Sequence, residues 1–208
     1  MTELAASREW YARLSRGVLG LIEQVPEDAA QRPGLGNWTL AELAAHSMRA
    51  WTTLTQYLAD PEPTGETPIS AVVYLAEGMA TDGVHAGVEQ RARQDAAEIG
   101  TSLAAAAREA AAAARDALDE APDSRLVTTR FGVLALRDFL RTRNLELVVH
   151  GLDLAKALGV EPPPELVEAT VPAMLLLTQV AVERGMAVPL LEAAAGRAPL
   201  DAGYNLMQ

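Results

Sequence analysis

His46, Glu146 and His150 are the residues of this sequence whose types and spacing could do chemistry. Glu146 and His150 stand at i and i+4, so on a helix they stack one turn apart and converge on a point off its surface, as ligand pairs do in helical bundles. A third ligand has to come from elsewhere, and His46 is the natural one. Its helix neighbours Leu43, Ala50, Thr53 and Tyr57 set it at the edge of an apolar face that should meet the bundle interior. Two imidazoles and one carboxylate leave a coordination position open, the pattern of a catalytic rather than a structural zinc site. That position can hold water or a thiolate.

Each residue also has a plainer reading. A single buried histidine is more often a hydrogen-bonded core residue than a ligand, and Glu146 can pair with Arg143 three residues before it. Asp153, one turn beyond His150, can accept the free ring N–H and fix the imidazole tautomer, or it can pair with Lys156. Arg143, and more weakly Arg141, can contact a substrate carboxylate or take part in an ordinary ion pair. His85 follows Asp82-Gly83 with only Glu89 at ligand spacing and reads as a surface or loop histidine.

The elements that must position these side chains are helices. Arg143, Glu146, His150 and Asp153 recur at steps of three, four and three and fall within about 80° of one another on a helix expected from about Leu134 to Leu158. Gly159 is placed to end it, with Pro162 to Pro164 beyond. Leu136, Leu140, Leu147 and Leu154 flank this polar stripe, and Leu145, Val148, Val149 and Leu152 cover other faces, so most of the helix should be buried. Ionisable groups buried there need a counter-charge, which a divalent cation would supply.

Further helices are expected over Glu3 to about Val25, Leu40 to about Ala59, Ile69 to about Ala80, Val84 to Glu120 with a bend near Gly100, Glu165 to about Arg184, and Leu190 to Ala195. Thr39 and Glu42 have capping-box spacing at the start of the second. Leu126 to Phe131 has β-branched character, but no convincing strand pair emerges. The expected architecture is all-α, a four-helix bundle over residues 1–160, with a C-terminal helix and short tail at 161–208 packed on it.

Bulk composition narrows the partners. With 50% hydrophobic residues, the 208-residue chain can bury one main core. A net charge of -11 argues against nucleic acid and an anionic membrane surface. The opening MTELAASREW has no secretory pattern, and no stretch is expected to be long and apolar enough to cross a bilayer. The expected address is therefore the cytoplasm, as a monomer or homodimer. There is no cysteine, so any thiol chemistry must use a thiol brought in from outside.

Two segments resemble a known family: Gly36-Asn37-Trp38-Thr39-Leu40-Ala41-Glu42-Leu43-Ala44-Ala45-His46, and Arg143-Asn144-Leu145-Glu146-Leu147-Val148-Val149-His150-Gly151-Leu152-Asp153-Leu154. They are similar to the metal-ligand segments of the mycothiol-dependent maleylpyruvate isomerase family, within the DinB-like superfamily. The run Ala195-Gly196-Arg197-Ala198-Pro199-Leu200 is also similar to that family's usual ending. The resemblance implies a DinB-like four-helix bundle with additional short helices. It further implies zinc held by His46, Glu146 and His150, and a low-molecular-weight thiol such as mycothiol as cofactor or co-substrate.

In an isomerase the thiolate would add to an activated double bond, allow rotation and leave; in an S-transferase the adduct would be released. Full-length maleylpyruvate isomerases carry a second C-terminal domain, whereas about fifty residues follow Gly159 here. The expectation is therefore a single-domain thiol S-transferase, or an isomerase-like relative, acting on a small electrophile. Its competitor is a non-catalytic metal-binding stress-response or regulatory bundle.

Overall fold

The computed structural model describes residues 3–80, 84–100 and 102–206, setting aside the side chains of 79, 80 and 84–86. The Asp82-Gly83 break and the side chain of His85 lie outside the described residues.

Helix α1, Glu3–Ile22, buries Leu4, Tyr11, Leu14, Val18 and Leu21, the three- and four-residue rhythm that its sequence carries. The expected second helix is two: α2, Leu40–Ser47, and α3, Arg49–Ala59. The Ser47 hydroxyl donates to the Leu43 carbonyl at 2.8 Å, competing with the backbone hydrogen bond there, and such back-bonding bends helices. Helix α4 covers Ala71–Ala80. The long Ala-rich stretch divides into α5, Val84–Ile99, and α6, Leu103–Glu120, because Gly100 at φ +62° leaves the right-handed helical region.

Strands β1, Leu126–Thr129, and β2, Gly132–Ala135, form an antiparallel hairpin with Leu126 opposite Ala135 and Thr129 opposite Gly132. The strand pair thus exists, contrary to expectation. Its second strand occupies residues whose apolar run continues straight into α7, Leu136–Leu158, which hid the boundary. Gly159 ends α7 at φ +71°, as its position predicts. The expected helix from Glu165 is interrupted at Ala169, giving α8, Pro164–Glu168, and α9, Thr170–Glu183. Pro172 has no N–H to offer the Glu168 carbonyl, which accounts for the interruption. Helix α10 covers Ala187–Ala194.

The all-α expectation stands, with the small hairpin as its one addition among the described residues. Four rods make the bundle: α1, α2–α3, α5–α6 and α7, with α1 lying along α7, α3 along α6 and α2 against α5. Their shared interior contains Leu14, Ile22, Leu43, Trp51, Phe139 and Leu140, all at or below 1% exposure. Each such side chain contributes roughly 1.5–3 kcal/mol by leaving water. Val149, expected on a covered face, is exposed at 37%.

A smaller second core joins α4, α7 and α9 through Ala71, Leu75, Leu145, Leu176 and Val180. Asp138, buried on α7, fixes α4 by accepting from the Ala71 N–H at 3.2 Å. Leu166 of α8 enters the main core beside Gly151, where a Cβ would stand 2.8 Å from the Leu166 side chain and 3.0 Å from that of Val18.

The expectation that no stretch is apolar enough to span a membrane is overturned by composition. Pro164–Glu183 is long and apolar enough, with a mean hydropathy of 1.4, and is 33% buried. The break at Ala169 leaves α9 about 21 Å long, short of the ~30 Å hydrocarbon core.

Candidate metal centre

His46 is placed by a short helix held firmly at both ends of its first turn. The Thr39 side chain accepts from the Glu42 N–H at 3.2 Å, and the Glu42 carboxylate accepts from the Thr39 N–H at 2.7 Å. This is the predicted capping box. The entry loop is folded back so tightly that the Gly34 N–H donates to the Trp38 carbonyl at 2.8 Å. A Cβ on Gly34 would lie 2.5 Å from the Thr39 carbonyl oxygen. Ion pairs from Arg49 to Asp95 at 3.3 Å and Arg93 to Glu42 at 3.7 Å tie α2 and α3 to α5.

The α7 stripe meets His46 across the bundle. One ligand atom from each of His46, Glu146 and His150 can be chosen so that all three lie within 4.8 Å of one another. His150 Nε2 is 3.3 Å from a Glu146 oxygen, and its Nδ1 is 3.2 Å from Asp153. Two ligands at ~2.1 Å from a tetrahedral ion stand roughly 3.4 Å apart, so the Glu146–His150 pair needs no rearrangement. The His46 arm would close in by no more than about 1.4 Å. His46 Nδ1 is buried with no hydrogen-bond partner among the described residues, the condition that a bound cation or an ordered water relieves. Oxygen and imidazole donors in this ratio suit zinc and its neighbours.

Trp38 closes one side, its ring centroid 4.7 Å from that of His46 and 6.5 Å from that of His150. Burial, reinforced by the nearby positive charge of His150, pushes His46 down to about 3, so its ring is neutral at pH 7. Burial opposes protonation of His150 too. Its hydrogen bonds to Asp153 and Glu146 outweigh that and lift it to about 9. Burial likewise opposes ionisation of Glu146, yet the His150 hydrogen bond and the charges of Arg143, His150 and His46 hold it at about 2. The cluster therefore keeps a proton on His150 that a metal ion would have to displace.

The other sequence-predicted residues divide. Of the two readings open for Asp153, its carboxylate lies against His150 Nδ1 at 3.2 Å, and no ion pair with Lys156 forms among the described residues. Arg143 is 8% exposed, lies over the Phe139 ring at 5.2 Å and donates to the Thr142 hydroxyl at 3.2 Å. No carboxylate comes within 4.0 Å of it among the described residues, so the ordinary ion pair is not what it makes. Arg141 does make one, with Asp138 at 3.4 Å, and also donates to Gln179 at 2.9 Å.

Tyr74, on α4, was invisible to sequence reasoning as a neighbour of this site. Burial raises its hydroxyl pKa, and the charges of Arg143 and Glu146 both act on it. No spacing signal could reveal it, because α4 is brought near the site by the hairpin and Asp138.

No curated protein and no solved structure gives a match to this chain. A family model does, over residues 11–155, which spans both α2 with its capping box and the polar stripe of α7. With that match covering more than half of its length, the chain belongs to the family of the mycothiol maleylpyruvate isomerase N-terminal domain.

Proposed function

We propose that this protein is a metal-dependent enzyme that uses a low-molecular-weight thiol of the mycothiol kind, as an S-transferase or a maleylpyruvate-isomerase-like catalyst on a small electrophile. Residues 1–160 would carry the activity and 161–208 would pack on them as an appendage. The observation that carries the reading is the convergence of His46, Glu146 and His150 from two helices, with a buried imidazole nitrogen that has no hydrogen-bond partner among the described residues.

His46, Glu146 and His150 would hold the ion, zinc by the chemistry of the donors. When bound, the ion would lower the thiol pKa and present a thiolate, which suits a chain without cysteine. Asp153 would accept the His150 Nδ1–H and so direct Nε2 at the ion. Arg143, buried and unpaired with any carboxylate among the described residues, would hold an anionic group of the electrophile or thiol. Trp38 would shield the histidines from water on one side. A reduced thiol pool is kept in the cytoplasm, where this reading sets the protein.

Elemental analysis of protein purified without chelator, paired with a mycothiol-conjugation assay over a panel of small electrophiles, tests the proposal. The expected result is close to one zinc per chain and thiol-dependent turnover lost in Glu146→Gln. Bound metal with no turnover on any electrophile would favour a non-catalytic metal-binding or regulatory bundle, and protein that takes up no metal would overturn both.

A further inference from the structure

Of the eleven exposed large apolar side chains among the described residues, seven fall between Val167 and Leu191. On α8 and α9 they form a stripe of Val167, Val171, Met174, Leu175 and Val182 on the side opposite the buried Leu166, Leu176 and Val180. Val171, Leu175 and Val182 are each about two-thirds exposed. From Ala169 to Val182 there is no charged residue, in a chain of net charge -11. Val188 and Leu191, on α10, are exposed to a similar extent.

We propose that this stripe is the interface of a two-fold symmetric homodimer in which α9 packs antiparallel against α9 of a second copy. The spacing is self-complementary. Reversed about its midpoint between Met174 and Leu175, the stripe sets Val167 opposite Val182 and Val171 opposite Thr178. A two-fold interface requires this, since residue i must meet j and j meet i. The five side chains of the stripe expose on the order of 500 Å² per protomer, and with the two of α10 on the order of 700 Å², against the ~800 Å² per partner of a standard stable interface.

Other occupants fit less well. The C-terminal tail is already docked elsewhere, through Tyr204 donating to the Met186 carbonyl at 2.9 Å and Arg184 to the Leu206 carbonyl at 2.7 Å. From Ala169 to Val182 the stripe carries no basic residue that would attract an anionic lipid surface.

Sedimentation velocity across the micromolar range tests the proposal on the full chain. The expected mass is twice 22.1 kDa. Val171→Glu with Leu175→Glu should weaken association at least tenfold while leaving the melting transition of the dilute protein in place. Because the chain has no cysteine, Leu175→Cys introduces a single thiol close to the two-fold axis. It should form a disulfide-linked dimer on mild oxidation, while Leu35→Cys, on another exposed position, should not. A wild-type chain that stays monomeric throughout, or a dimer that survives the double substitution, would overturn the interface. Vesicle binding that is lost in the double variant, without any dimer, would assign the stripe to a membrane instead.

Discussion

The imidazole of His46 stands edge-on to that of His150, with ring centroids 4.6 Å apart and planes at 86°, although one belongs to α2 and the other to α7. A half-buried pair of histidines in this geometry, with Glu146 alongside, stores little as packing and a great deal as coordinating capacity.

Replacing any one of these three groups should therefore remove metal rather than unfold the chain. His46→Ala, Glu146→Ala and His150→Ala are each expected to lose tight zinc binding in competition with a chromophoric chelator. Asp153→Asn, which weakens only the support behind His150, should cost about 10–100-fold in affinity. Zinc should raise the melting temperature of the parent protein and leave that of His46→Ala where it is.

Metal uptake should depend on pH through the proton that His150 carries. With that group lifted to about 9, apparent zinc affinity is expected to rise by roughly tenfold per pH unit through neutrality and to level off above that value. Titrations at several pH values, with proton release followed in weak buffer, would check this; a flat profile would mean that His150 is not a ligand.

Stability without metal should peak near pH 6.5. His46 is depressed to about 3, so its contribution is complete above its ordinary value of 6.5 and drains away as pH falls toward 3. Glu146 adds to the acid side, losing its contribution between 4.5 and about 2. His150 is raised, so its contribution is full below 6.5 and disappears as pH climbs to about 9. Urea midpoints measured from pH 4 to 9 with chelator present should trace this dome.

Two glycines should tolerate alanine badly. Gly34→Ala forces the backbone carbonyl of Thr39 aside, so it should disturb the cap of α2 and with it the aim of His46. Gly151→Ala drives into Leu166 and Val18. Each is expected to cost about 1–3 kcal/mol by denaturant titration, and Gly34→Ala should also weaken zinc binding.

Arg143→Met should separate charge from bulk. The methionine keeps contact with Phe139 but withdraws the positive charge that favours ionised Glu146, so the Glu146 carboxyl should titrate at higher pH. In a thiol-conjugation assay the variant should show a raised KM for carboxylate-bearing electrophiles and little change for neutral ones.

The α7 part of the candidate site was legible in the sequence because helical spacing is rigid: once Glu146, His150 and Asp153 lie on one helix, their shared face follows, whereas His46 stands on a separate helix that spacing cannot bring to it. The capping box at Thr39 and Glu42 and the stop at Gly159 were readable for the same reason, since each is a local contact within a few residues. What could not be read depends on contacts distant in sequence. The hairpin needs Leu126 to find Ala135, and its strand residues look like the start of the helix that follows them. Arg143 looked like half of an ion pair because its neighbours at i±3 and i±4 are all that a sequence displays. That no carboxylate among the described residues comes within ion-pair distance of it emerges only when α1, α4 and α7 are assembled.

The position of Trp38 has a practical consequence. The chain has three tryptophans. Trp51 is sealed in the core and donates to the Ser15 hydroxyl at 3.0 Å, and Trp10 lies under the Arg13 guanidinium. Of the three, Trp38 is the one whose ring lies near both histidines, with centroids 4.7 Å from His46 and 6.5 Å from His150. An imidazolium quenches indole emission more strongly than a neutral ring does, so the intrinsic fluorescence of this protein should brighten as His150 gives up its proton, letting occupancy be followed in real time without a label.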